Sequence, residues 1–134
     1  MSSPPFRMEA YLKLCRQLFD EARLEMADRQ RRLDSLLSKR AALVGQKEAA
    51  AAELDSYMSH SICAGALEEN YRYAAWLDGQ LTDLDSELVR MQTMVEEQNQ
   101  AVVEANIELK KFEKLKEKAA EKDNSGQGPY GLPE

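Results

Sequence analysis

The chain has 134 residues, so we expect one domain. Charged residues make up 31% of it and the formal net charge is −6, so we do not expect a large globular core. A hydrophobic content of 43% argues against a disordered chain. The sequence contains no run of about 18 apolar residues, so we expect no membrane-spanning helix. The acid excess also disfavours nucleic acid as a partner, because phosphate binding requires a basic stripe.

The sequence contains no combination of residues typical of a disulfide framework, a metal site or a catalytic site. Cys15 and Cys63 are too few for a disulfide framework or a zinc site, and a reducing cytosol is the simplest environment for them. His60 is the single histidine, so neither a histidine metal site nor a His–Asp relay can be assembled. The N-terminal residues have no basic region leading into an apolar run, so we expect no signal peptide. We therefore expect no enzyme activity, no metal and no cofactor.

The first predicted element is a helix over about residues 4–59, since Pro4 and Pro5 suit a first helical turn. From Leu12, alternating steps of three and four residues meet fourteen positions, of which eleven are apolar. This spacing is typical of a coiled-coil seam, and we assign heptad position a to Leu12. The fourteen positions are Leu12, Cys15, Phe19, Ala22, Met26, Arg29, Leu33, Leu36, Arg40, Leu43, Lys47, Ala50, Leu54 and Tyr57.

The pattern is interrupted at about residues 59–65, where "SHSICAG" collects weak helix formers and predicts a turn. A second helix is expected over about residues 65–121, and the Gly- and Pro-rich residues 122–134 are expected to form a flexible tail. In the second helix eleven of twelve seam positions are apolar, with Ala74 at a. These positions are Ala74, Leu77, Leu81, Leu84, Leu88, Met91, Val95, Gln98, Val102, Ala105, Leu109 and Phe112.

The two seams fit each other if the chain folds back on itself. Facing residues then have numbers that add to 124, which centres the turn on Ile62, or to 131, which centres it between Gly65 and Ala66; we prefer 124. The predicted fold is an all-α, antiparallel two-helix coiled-coil hairpin over residues 1–120, and we expect a monomer. The polar seam residues are expected to extend towards solvent or to fix the register: Arg29, Arg40, Lys47 and Gln98.

Several large apolar side chains lie outside the seam and predict two contact zones. One zone is expected near the turn and the other near the chain termini. The alternative is that these side chains cover the flank of the seam or pack against a second copy. The first zone comprises Tyr73 and Trp76 beside the seam residue Leu77, and the second comprises Leu14, Leu24, Val103 and Ile107.

Three stretches resemble the FliJ family of flagellar export proteins, whose injectisome counterpart is YscO. They are "FRMEAYLKLCRQLFDEARLEMA" at the N-terminus, "LEENYRYAAWLDGQL" after the interruption, and "EANIELKKFEKLKEK" near the C-terminus. The resemblance covers residues 6–120. It implies a non-enzymatic hairpin, cytoplasmic and peripheral to the inner membrane, whose termini enter the ring of the hexameric export ATPase. It also implies contacts with the export-gate membrane protein and with export chaperones.

The resemblance assigns the two zones to partners. Tyr73 and Leu77 correspond to the gate-contact positions of the family, and we add Trp76 because it is exposed beside them. Leu14, Leu24, Val103 and Ile107 are expected to contact the ATPase ring. The alternatives are a generic cytosolic coiled-coil scaffold, which would dimerise through the seam, and the equivalent stalk of a virulence injectisome. A prefoldin-type holdase is disfavoured because "SICAGA" is too short to provide strands for its hub.

Overall fold

The computed structural model describes residues 8–60 and 64–127, with side chains described as far as 122. It contains two α-helices, α1 (Glu9–Ser59) and α2 (Ala64–Gln127), which pack against each other as an all-α helical hairpin. No strand occurs within the described residues. The fold class predicted from the heptad pattern is therefore confirmed.

The ends of the helices can be compared with their expected positions. α1 ends at Ser59 and α2 begins at Ala64, so the break in the helices falls inside the segment where the turn was expected. Residues 61–63, including the expected centre at Ile62, lie outside the described residues, as do residues 1–7, which contain the expected helix start. α2 continues to Gln127, beyond its expected end near residue 121. No proline interrupts residues 122–127, and the first glycine there is Gly126, so nothing in the sequence stops the helix earlier.

The described chain divides into two compact units, each of which takes a segment from both helices. Unit 1 is built from Met1–Ala27 and Glu96–Glu134, and unit 2 from Asp28–Val95. The core of unit 1 consists of Leu12, Cys15, Leu109 and Phe112, with Phe19 packed against them. The core of unit 2 consists of Leu33, Leu43, Ala50, Leu77, Leu84 and Leu88, with Leu36, Leu81, Met91 and Val95 packed against them.

All ten of these buried apolar side chains occupy seam positions expected from the heptad pattern. The phase of both helices is therefore as expected. The reason is geometric: a stripe repeating every 3.5 residues stays on one side of each helix and is removed from water when the other helix covers it.

The register can be read from contacts between the helices in each unit. In unit 2, the Lys47 ammonium lies 2.7 Å from the Asp78 carboxylate, and the numbers of these residues add to 125. In unit 1, the rings of Tyr11 and Phe112 are 4.7 Å apart between centroids, and their numbers add to 123. These contacts favour the preferred register of 124 over the alternative of 131.

Three polar side chains of the seam bind backbone carbonyls of the opposite helix. Arg29 Nη1 donates to the Met94 carbonyl at 3.0 Å, and Asn70 Nδ2 donates to the Ala50 carbonyl at 3.0 Å, both in unit 2. In unit 1, Gln98 Nε2 donates to the Ala22 carbonyl at 2.9 Å. A sliding of one helix along the other would break each bond inside the seam, so these three side chains fix the register.

Candidate partner-binding surfaces

An exposed pair of aromatic rings lies on α2 in unit 2. The rings of Tyr73 and Trp76 are stacked, with centroids 6.2 Å apart and planes inclined by 15°. Tyr73 Oη donates a hydrogen bond to Gln46 Oε1 of α1 at 3.3 Å, which steadies the ring across the hairpin. The side chain of Trp76 is 55% exposed, because position c points away from the other helix. We call Tyr73 and Trp76 the aromatic surface.

Leu77, which was expected to contact a partner together with Tyr73 and Trp76, does not belong to this exposed surface. Its side chain is fully buried, with 0% of its area exposed, among the core residues of unit 2. Position d faces α1 directly, so a partner could reach Leu77 only by separating the helices. Its role is to hold the helix that presents the two rings.

The four apolar residues expected to contact the ATPase are all exposed. Leu14 lines a groove of about 80 Å³ in unit 1. Leu24 lies in a different depression, which is formed by side chains of α1 alone. Val103 and Ile107 lie one turn apart on α2 and line neither of these depressions. Leu14 and Leu24 therefore lie in separate depressions.

Two residues not singled out from the sequence, Tyr11 and Leu18, complete the groove around Leu14. Together they make an apolar stripe along α1 with spacings of three and four residues, and each is between 43% and 49% exposed. Their spacing is visible in the sequence, and both residues occupy position g, which is adjacent to the seam. We call Tyr11, Leu14 and Leu18 the terminal groove. Its remaining lining residues are Cys15, Ala105 and Glu108.

The two flanks of the hairpin differ in chemistry, and the same difference is found in each unit taken separately. One flank, on the side of heptad position e, carries ion pairs between the helices, each of which includes at least one e residue. The other flank, on the side of position g, carries the terminal groove in unit 1 and the aromatic surface in unit 2. The ion pairs are Arg16–Glu113 and Lys116–Glu9 in unit 1, and Arg40–Asp85 and Lys47–Asp78 in unit 2.

These ion pairs join the two helices along the e flank. Arg40 Nε donates to Asp85 Oδ1 at 2.6 Å, and this hydrogen bond, followed by the charge of Asp85, raises the pKa of Arg40 above its ordinary value. Arg40 and Lys47 both begin at seam position a, and both reach sideways to an acid at e rather than remaining buried. The terminal groove and the aromatic surface lie on the opposite, g flank.

No catalytic or metal-binding arrangement is found in the part of the chain that the structure describes. No group of three or more potential metal ligands occurs among residues 8–60 and 64–127. Cys15 is a free, buried thiol, and its burial, with a smaller contribution from the Glu108 carboxylate, raises its pKa. A raised pKa disfavours the reactive thiolate. The ring Nδ1 of His60 lies 2.9 Å from the Ser56 carbonyl, a local contact at the end of α1.

Hydropathy adds one further finding. Over the described residues, neither helix contains a stretch apolar enough and long enough to cross a membrane.

Comparison with known proteins identifies one family. The family model described as "Flagellar FliJ protein" matches residues 5–127, which is most of the chain. Comparisons with curated proteins and with solved structures gave no significant match. The match includes both helices and every residue of the aromatic surface and the terminal groove. The chain therefore belongs to the flagellar FliJ protein family, whose members are non-enzymatic components of the flagellar type III export apparatus.

Proposed function

We propose that this chain acts as a stalk of the flagellar export apparatus, with separate surfaces for two partners. The aromatic surface binds the export-gate membrane protein, and the terminal groove binds the ring of the hexameric export ATPase. Family membership supports the export role, and the flagellar model favours the flagellum over the injectisome. The protein works at the cytoplasmic side of the inner membrane, where it also meets export chaperones.

The observation that carries this proposal is the exposed, stacked pair Tyr73 and Trp76. Neither ring is required for the core, since the neighbouring Leu77 fills the seam at that level. Large rings held in one orientation lose little conformational entropy on binding, and Trp and Tyr are the residues that most often anchor protein interfaces. An aromatic pair with this exposure is therefore explained better by a partner than by the hairpin itself.

The terminal groove supports the second half of the proposal. Tyr11, Leu14 and Leu18 expose an apolar stripe beside a hollow of about 80 Å³, which suits an apolar side chain of a partner. On the other flank of the same unit, the ion pairs Lys116–Glu9 and Arg16–Glu113 join the two helices. Unit 1 contains the start of α1 and the end of α2, which are the helix ends nearest the chain termini. Insertion of the chain ends into a ring requires this arrangement.

The experiment measures binding of paired variants to both partners. Tyr73→Ala with Trp76→Ala should weaken binding to the purified export gate and leave binding to the ATPase unchanged. Leu14→Ala with Leu18→Ala should do the reverse. Val89→Ala, which removes an exposed apolar side chain at 62% exposure outside both surfaces, is the matched control and should change neither.

A comparison with Leu24→Ala and Ile107→Ala tests how the ATPase is contacted. These residues are exposed but lie outside the terminal groove, so we expect a smaller loss of ATPase binding than for the groove pair. Equal loss from both pairs would show that the groove is not the contact. If the aromatic pair lowers helicity and melting temperature, the two rings are structural and the gate assignment fails. A seam-mediated dimer in sedimentation equilibrium would favour a generic scaffold.

A further inference from the structure

Unit 2 contains a groove between the helices that neither surface described above uses. It has a volume of about 420 Å³ and lies on the g flank. Its floor is apolar and comes from Leu36 on α1 and from Met91 and Met94 on α2. All three side chains are half-buried, so part of each remains available to a ligand. The other lining residues are Arg32, Ser35, Glu87 and Arg90. We call this hollow the methionine groove.

The local sequence explains why the hollow is open. Ser35, at position c, has a side chain too short to cover Leu36, which comes next along the chain. The flanking residues Arg32 and Glu87 are long and charged, and both are exposed, so they extend into water instead of folding over the apolar floor. Methionine side chains are flexible and polarizable, and they adapt to apolar ligands of different shape.

One end of the groove is held rigid by a hydrogen bond between the helices. Arg29 Nη1 donates to the carbonyl oxygen of Met94 at 3.0 Å. This bond links the backbone that carries Met94 to α1 at one end of the groove. A preformed groove binds more tightly than one that must be ordered by its ligand, because less conformational entropy is lost.

The lining of the groove contains more cations than acids although the chain as a whole is acidic. Its charged residues are two arginines, Arg32 and Arg90, and one glutamate, Glu87. Between residues 58 and 109 there are only two cations, against ten acids, and Arg90 is one of them. Arg32 is paired with Asp28 at 3.1 Å, but its side chain remains 62% exposed and its guanidinium has further donors. The rim therefore favours a ligand with acidic groups.

The secondary structure around the groove limits the shape of the ligand. Both walls are α-helices whose backbone hydrogen bonds are made within the helix, so no strand edge is available to pair with an extended peptide. A ligand that enters an apolar groove between two helices must satisfy its own backbone, and a helix does this. We propose that the methionine groove binds an amphipathic helix of a partner protein, whose apolar stripe lies on Met91 and Met94 and whose flanking Asp or Glu residues pair with Arg32 and Arg90.

The test uses the full chain and two synthetic peptides. Each peptide has about three heptads with Leu at a and d. The first carries Glu at e and g, and the second carries Lys at the same positions. Binding is measured by fluorescence anisotropy of the labelled peptide at low and high salt. The acidic peptide should bind, more weakly as salt rises, and the basic peptide should bind at least about tenfold less tightly, because only the former complements the rim.

Variants of the groove locate the site. Arg90→Glu and Met94→Glu should each weaken binding of the acidic peptide by about tenfold or more. Arg72→Glu is the matched control, since it reverses the other cation of the acid-rich middle at a position outside the groove, and should leave binding unchanged. Met94→Ala keeps the test usable if Met94→Glu perturbs the fold, which circular dichroism would reveal.

Three outcomes would overturn the inference: acidic-peptide binding weaker than about 1 mM, equal binding of both peptides, or equal loss of binding from Arg90→Glu and Arg72→Glu. Tyr73→Ala with Trp76→Ala should leave peptide binding unchanged. The methionine groove can thus be supported or rejected independently of the gate assignment.

Discussion

Replacement of a buried seam leucine tests the packing of unit 2 most directly. Leu84 is 97% buried, since only 3% of its side chain is exposed, and it belongs to the same apolar cluster as Leu77 and Leu88. Leu84→Ala removes most of this buried side chain and leaves a gap at one level of the seam. In closed cores such a change costs about 2–5 kcal/mol of unfolding free energy, and the value grows with the cavity that remains.

The structure places Leu84 at the lower end of this range. A seam between only two helices is open along both flanks, so water can enter the gap and no large empty cavity persists. We expect a loss of about 2–3 kcal/mol, which for a chain of this length lowers the melting temperature by roughly 8–12 °C.

The assay is thermal and urea unfolding followed by circular dichroism at 222 nm. Val89→Ala is the control, because Val89 is also an apolar residue of α2 but is 62% exposed, and its replacement should shift the transition by at most about 0.5 kcal/mol. Equal shifts for the two variants would refute the seam phase of α2, and with it the argument that Trp76 points away from α1.

Three further predictions concern residues inside the two units. Gly45→Ala and Gly79→Ala should each raise the free energy of unfolding by about 0.5–1 kcal/mol in thermal unfolding. Both glycines are helical, and an added Cβ at either meets nothing within 4 Å. A destabilised Ala variant would mean that the glycines are needed for close packing. Asn70→Ala should lower the free energy of unfolding by about 1 kcal/mol, because it removes the hydrogen bond to the Ala50 carbonyl. Asn70→Leu should melt no lower than the native chain but should allow alternative registers of the two helices. Such registers would be detected as additional disulfides between cysteine pairs introduced across the helices. Burial raises the pKa of Cys15, so the folded state keeps the thiol proton at pH values where the unfolded thiol has lost it. The free energy of unfolding should therefore fall as the pH rises above about 8.5. Cys15→Ala should remove that part of the pH dependence in urea titrations.

The helical hairpin was predictable because its core is a one-dimensional pattern. A residue such as Leu84 is buried by its heptad position alone, and neither a sheet register nor a distant loop is needed to place it. The same pattern placed Trp76 outside the seam. It also left two registers possible, because a shift of seven in the sum keeps every a residue opposite a d residue.

The heptad pattern predicts the direction in which each side chain leaves its own helix. Which side chains of the opposite helix lie next to it depends on how the two helices pack. Arg40 and Lys47 illustrate the difference: their long stems could have reached either flank, and in the structure they pair with Asp85 and Asp78 on the e flank.

The same distinction separates the candidate surfaces. Leu14 and Leu24 are both exposed apolar residues of α1, and the heptad pattern grouped them, yet only Leu14 lies in a groove with residues of α2. The methionine groove was likewise hidden in the sequence, because Leu36 and Met91 read as ordinary seam residues. A groove is a gap between two helices, and its shape depends on the register and on side-chain conformations, which a periodic pattern in one helix does not specify.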